Sequence, residues 1–152
     1  PSTFGGEIAE AKVRKSGRST WTIDSFLEAL GSDDDRTLAA ELFRRSEALD
    51  RLGEKQPLWL GEAPGGGIYL QPHGFSTAPV WLSVNKDRKL MLTGTWNWFA
   101  GVLHHEGFAP LAQLMGLDHT GPAKGRPVAD FDLDELWAAI IDCAVAINEN
   151  AL

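Results

Sequence analysis

The sequence predicts an α+β fold: an N-terminal helix pair, a four-stranded antiparallel meander, short helices, and a C-terminal helix packed on the sheet. Apolar residues recur with a helical period near both ends of the chain, whereas short β-prone runs fill its middle. Short loops join these runs, and parallel neighbours would each need a crossover of about a dozen residues. The strands are therefore expected to be antiparallel, which excludes a doubly wound fold.

The chain has the size and composition of one globular domain. Its 152 residues are 43% hydrophobic and 23% charged, so they can form a core without a disulfide or a metal. Residues 1–20 lack apolar periodicity and are rich in glycine and serine, as in a linker. We expect a flexible linker over 1–20, carrying basic residues from Lys12 to Arg18, and a single domain over 21–152.

Net charge and cysteine content indicate which partners and which cellular compartment suit the protein. A formal net charge of −7 disfavours binding to nucleic acid, although it does not exclude it. The sequence contains no apolar segment of membrane-spanning length, and its one cysteine, Cys143, allows no internal disulfide. These features predict a cytoplasmic protein that does not bind membranes.

Two helices are predicted at the start of the domain. Thr22 is placed to cap the first helix, which Gly31 ends. Ser32 and Asp35 form a capping pair for the second, which is expected to continue to Gly53 with ion pairs at Glu41/Arg45 and Glu47/Arg51. The acidic run Asp33–Asp35 is typical of a helix start, and a metal-binding cluster is the alternative.

Four strands follow the helix pair. Leu58–Leu60 and Ile68–Leu70 flank a glycine-rich segment, and a stronger hairpin spans 79–95 with its turn at 85–88. The glycine-rich segment, 62–67, is expected to be a hairpin loop. Its alternative role is to present backbone amides to an anion, although it lacks the P-loop and dinucleotide motifs.

The last helix has the sharpest start in the sequence. Asp132 is placed as its N-cap with Glu135 three residues later, and Phe131 and Leu136 are spaced as a hydrophobic staple. Short helical turns are predicted over 97–104 and 110–115. The irregular segment between the second turn and this helix is expected to be a crossing loop or a functional flap.

A histidine cluster is the strongest sign of catalytic chemistry. His104, His105 and His119 fall close together, with Glu106 and Asp118 beside them. Imidazole and carboxylate groups suit zinc or non-haem iron, so a metal site here is an alternative to surface and capping histidines. No motif such as HExxH is present, and we therefore predict no metal and no cofactor. Acid–base catalysis would require a histidine to meet a carboxylate, and His73 could approach from its own loop.

Six tryptophans are the other unusual feature of this sequence. If residues 95–99 continue the fourth strand, Trp96 and Trp98 share a face, with Trp81 across from them. Such a face could bind bases, sugars or a peptide. The alternative is that most of these rings fill the core.

The order of elements along the chain resembles that of a known group of domains. The helix pair ending at Leu52-Gly53, the strand with Trp59 and the later run Pro79-Val80-Trp81 resemble small uncharacterised α+β domains appended to bacterial nuclease and restriction-type proteins. The resemblance covers roughly residues 21–147 and carries over no catalytic motif. We predict a non-catalytic binding or interaction module of a bacterial protein, with a protein partner or tethered domain. Its predicted contact residues are Trp96, Trp98, Trp81 and His73. The alternative is a small hydrolase that uses His104, His105 and His119.

Overall fold

The computed structural model describes residues 19–149, and within this range the predicted α+β class is confirmed. Its α-helices are α1 (Ile23–Ala29), α2 (Asp33–Ala48), α3 (Ala109–Leu114) and α4 (Leu133–Ile147). Short 3-10 helical turns occupy Pro72–Gly74, Ala100–Val102, Glu106–Phe108 and Val128–Asp130. No helix within this range is long and apolar enough to span a bilayer.

The main sheet has five strands, one more than the predicted meander. In chain order they are β2 (Leu58–Leu60), β4 (Ile68–Leu70), β5 (Val80–Val84), β6 (Leu90–Gly94) and β7 (Arg126–Pro127). They lie side by side in that order, and every neighbouring pair is antiparallel. The added strand β7 comes from the segment predicted to be a crossing loop. Its two residues could not be recognised as a strand by periodicity.

A second strand pair corrects the predicted start of the folded domain. Strand β1 (Ser19–Thr20) pairs with β3 (Glu62–Ala63), so the last two residues of the expected linker belong to a sheet. The remainder of that linker, with its basic residues, lies outside the described residues. Next to this pair, the Trp21 amide donates to the Gly61 carbonyl at 2.8 Å.

Side chains fix the start of each long helix as the sequence predicts. The hydroxyls of Thr22 and Ser32 each accept a backbone N–H three residues on, and the Asp132 carboxylate accepts from the Glu135 amide at 2.9 Å. These bonds satisfy amides that have no partner within the helix.

The end of α2 was predicted wrongly. The helix stops at Ala48 rather than Gly53, and Leu52 is exposed. Arg51 consequently does not pair with Glu47; its guanidinium donates instead to the carbonyl of Lys55 at 2.7 Å. The predicted Glu41/Arg45 pair is present at 2.7 Å.

The core lies between the helices and one face of the main sheet. Alternate residues of β4, β5 and β6 point into it, so the other face of the sheet is left to the intervening residues. Helix α4 joins the same core while packing against α3 and the Glu106–Phe108 turn. Fully buried members from the three strands are Ile68, Leu70, Val80, Leu82, Leu90 and Leu92.

Candidate functional site

Aromatic side chains line the face of the main sheet that points away from the core. Trp59, Tyr69 and Trp81 occupy directly opposed positions on β2, β4 and β5. Trp98, which follows β6, packs against both Tyr69 and Trp81 of this row. We call Trp59, Tyr69, Trp81 and Trp98 the aromatic strip.

Neighbouring rings of the strip are in contact. The centroids of Trp59 and Tyr69 lie 5.3 Å apart in a T-shaped arrangement, and Tyr69 stacks against Trp81 at 6.0 Å. Trp98 lies 5.2 Å from Trp81, with the ring planes tilted by 40°. Such contacts hold the rings in place without covering the two ends of the strip, where Trp59 is 54% and Trp98 48% exposed.

A short anchored turn places Trp98 on the strip. The Thr95 hydroxyl donates to the buried carbonyl of Ala78 at 2.6 Å, and the Trp98 amide donates back to the Thr95 carbonyl at 3.0 Å. This turn reverses the direction of successive side chains. Trp98 therefore lies on the outer face of the sheet, whereas Trp96, two positions earlier, does not.

The centre of the strip contains an unpartnered donor. The indole N–H of Trp81 is buried and makes no hydrogen bond with any described residue. A buried donor in this state costs about 1–3 kcal/mol. The rings of Tyr69 and Trp98 both contact Trp81 and lie 6.1 Å from each other, so the three rings form one packed cluster.

Beside the strip, the surface forms a hollow of about 280 Å³. Its walls are aromatic and its polar groups are few: these are the usual properties of a ligand site. The residues that line it are Lys55, Trp59, Tyr69, Gln71, Ser76, Ala78 and Phe99.

Gln71 is the polar residue of this hollow that says most about the hydrogen bonds a ligand could make. The residue as a whole is about nine-tenths buried, but its amide atoms stay accessible to water and make no hydrogen bond with a described residue. Only its backbone is engaged, through Pro57 and Gly74. Burial also raises the pKa of the neighbouring Tyr69 phenol, so this hydroxyl keeps its proton at neutral pH.

The glycine-rich segment supports the strip and does not form an open amide cradle. The Gly66 amide donates to the Glu62 carbonyl at 2.8 Å, and the Gly66 carbonyl accepts from the Trp21 indole at 3.0 Å. A side chain at Gly67 would collide with the Trp81 ring and with the backbone of β5. Glycine at 67 therefore allows the Trp81 ring to lie close against the hairpin.

The predicted pairing of Trp96 with Trp98 on one face is wrong. Strand β6 ends at Gly94, so residues 95–99 do not continue it. Trp96 is completely buried, contacts Phe108, and donates from its indole to the Gly121 carbonyl at 2.9 Å. Trp81 and Trp98 do lie together, as that interpretation required.

The clustered histidines use their rings to hold loops together. The Nδ1 atom of His104 donates to the backbone carbonyl of His119 at 2.9 Å, whereas Nδ1 of His105 accepts from the Gly107 amide at 2.8 Å. Asp118 accepts from the backbone and hydroxyl of Thr120, which lowers its pKa, and approaches His119 no closer than 3.8 Å. Glu106 is an exposed first residue of its turn. This geometry brings no histidine–carboxylate pair into a cleft.

The other residues considered for binding, catalysis or metal binding also form no site of that kind. His73 donates from Nδ1 to the Asp50 carbonyl at 2.8 Å and packs against Phe75, and it is not among the residues that line the hollow. Cys143 is buried, which raises the pKa of its thiol. Across residues 19–149, no three His, Cys, Asp or Glu side chains form a group that could hold a metal ion, Asp33–Asp35 included.

Comparison with protein-family models, curated proteins and solved structures finds no match to this chain. Sequence reasoning missed Trp59, Tyr69 and Gln71 as site residues. The sequence did contain a signal for the two aromatic residues. Side chains alternate along Leu58-Trp59-Leu60 and Ile68-Tyr69-Leu70, so each central ring lies on the other face of the sheet from its two apolar neighbours.

Proposed function

We propose that the domain is a non-catalytic binding module whose contact surface is the aromatic strip with its adjoining hollow. The observation that carries this proposal is the continuous row of Trp59, Tyr69, Trp81 and Trp98 on a sheet face with no covering layer among the described residues. Domains seldom leave such a patch uncovered unless it binds something.

The strip is organised before any ligand arrives. Each ring contacts at least one neighbouring ring, and three of the four project from paired strands. Little side-chain entropy is then lost on binding, because the rings are already held in place. Tryptophan and tyrosine also provide large contact areas with few rotatable bonds.

The module is proposed to act as part of a larger bacterial assembly in the cytoplasm, through a tethered domain or a protein partner. The buried free thiol of Cys143 is compatible with a reducing compartment. No specific observation favours the hydrolase alternative, since the His104 and His105 rings serve loop structure and the His119 ring lies 3.8 Å from the Asp118 carboxylate, which Thr120 already engages.

The six indole N–H signals of ¹⁵N-labelled protein provide a direct test. The protein is titrated with three probe classes: neutral oligosaccharides, an oligo-dT strand and a decaproline peptide. Binding at the proposed surface should shift the signals of Trp59, Trp81 and Trp98. The buried Trp21 and Trp96 serve as internal references and should move little.

Trp98→Ala provides the matched variant, since Trp98 is half exposed and lies outside the core. It should weaken binding of any probe that shifts the strip signals, while the circular dichroism spectrum stays unchanged. If no probe class shifts these signals, or if shifts occur only around the histidine cluster, the proposed function is wrong.

A further inference from the structure

We infer that the ligand of the aromatic strip and its hollow is a neutral glycan, bound with sugar rings against the aromatic walls. This inference rests on the proposed function and specifies its ligand class. The polar lining of the hollow, the direction of the strip and the distribution of charge each support it.

The polar groups of the hollow match hydroxyl groups. The Gln71 amide and the Tyr69 and Ser76 hydroxyls can each donate and accept hydrogen bonds. A sugar hydroxyl has the same double capacity, so adjacent hydroxyls can engage both ends of one side-chain amide. The Gln71 amide, which opens onto the hollow and has no protein partner, is the group that gains most from such a ligand.

A proline-rich peptide fits this lining less well. Prolyl residues carry no backbone N–H, so an extended proline helix offers acceptors only. Its carbonyls could accept from the Gln71 Nε2 group, yet the Oε1 atom would stay without a donor. A peptide lying over the amide would remove this acceptor from water without giving it a partner, and that cost counts against the peptide.

The distribution of charge disfavours a polyanion. Lys55 is the one cationic residue that lines the hollow, and the chain as a whole carries a net charge of −7. Binding of single-stranded nucleic acid normally combines stacking rings with a positively charged groove. A neutral ligand meets no such electrostatic penalty.

The shape of the strip suits a short, extended sugar chain. Trp59, Tyr69 and Trp81 lie in register across three strands, and the outer two of those strands are about 10 Å apart. Pyranose rings present patches of C–H groups that pack on aromatic faces. Trp59 and Phe99 form the exposed walls on which such a ring would rest beside Gln71.

The test uses cellohexaose and chitohexaose as probes, each titrated into the intact chain by calorimetry and by indole N–H shifts. We expect at least one of them to bind and to move the Trp59 and Trp81 signals. Gln71→Met keeps the size of the side chain and removes the amide, so it should weaken binding about tenfold or more. Gln113→Met, an exposed change on α3, is the matched control and should bind as wild type does.

The outcomes separate the two proposals. If oligo-dT or decaproline shifts the strip signals while neither sugar does, the glycan inference is wrong and the binding module stands. If none of the probes binds, both are wrong. Should Gln71→Met bind a sugar as tightly as the wild type, the glycan does not occupy the hollow and the inference fails.

Discussion

Asp35 on helix α2 accepts a hydrogen bond from the backbone N–H of Leu90 at 2.9 Å, which joins the helix to the first residue of strand β6. Asp35 is the third member of an acidic run whose other two members are exposed. Its own amide is held by the Ser32 hydroxyl at 3.1 Å. One residue therefore links the start of the helix to the start of the strand.

Asp35→Ala should lower the free energy of unfolding by about 1–3 kcal/mol, because the Leu90 N–H would lose its partner inside the protein. Asp34→Ala is the control: the side chain is exposed, and its loss should change stability by less than about 0.5 kcal/mol. Urea denaturation measures both. Equal losses in the two variants would show that Asp35 acts only through its charge at the helix start.

Trp96 and Trp98 should differ sharply in their contribution to stability. Trp96→Ala removes a fully buried ring and its bond to Gly121, so it should cost about 3–5 kcal/mol. Trp98→Ala removes a half-exposed ring in contact with two others and should cost only about 1 kcal/mol. Thermal denaturation of the two variants is the measurement. Similar melting temperatures would contradict the assignment of Trp96 to the core and Trp98 to the surface.

Cys143 should be inert in the folded protein. It lies in the core on α4, and burial raises the pKa of its thiol, so the reactive thiolate is scarce at neutral pH. A chromogenic disulfide reagent should label the native chain far more slowly than the urea-unfolded chain. Fast labelling of the native protein would mean that α4 opens readily or that the thiol is exposed.

The long elements of the fold could be predicted because their signals are local. Thr22, Ser32 and Asp132 each cap a helix through a residue three positions away, and the hairpin with its turn near Asn85 alternates in the expected way. Strand β7 could not be predicted, since two residues have no period. Its place beside β6 depends on a contact between Met91 and Pro127, which are far apart in sequence.

The candidate site was predicted only in part for the same reason. The sequence draws attention to tryptophans, but whether a ring faces water depends on where a strand ends. The end of β6 at Gly94 and the turn held by Thr95 sent Trp96 inward and Trp98 outward. Gln71 carries no sequence signal at all, because its place in the wall of the hollow arises from the packing of separate segments of the chain.

An ion-pair network joins helices α2 and α4 on the surface. Glu41 accepts from Arg44 at 2.6 Å and from Arg45 at 2.7 Å, and Arg45 also donates to Asp134 at 2.8 Å. The hydrogen bond from Arg44, followed by that from Arg45, lowers the pKa of Glu41 from 4.5 to about 2. Glu41 is thus the shared acceptor of both guanidinium groups.

This lowered pKa predicts how stability responds to acid. A carboxyl whose pKa is lower in the folded state than in the unfolded state stabilises the fold above its unfolded pKa. The contribution of Glu41 should therefore be complete above pH 4.5 and disappear as the pH falls toward about 2.

Glu41→Gln should be less stable than the wild type at neutral pH, and the difference should vanish near pH 2. Glu47→Gln is the control, because no ion pair forms between Glu47 and the other described residues. Urea denaturation across this pH range measures both variants, and a Glu41→Gln deficit that persists near pH 2 would show that the effect is not one of charge.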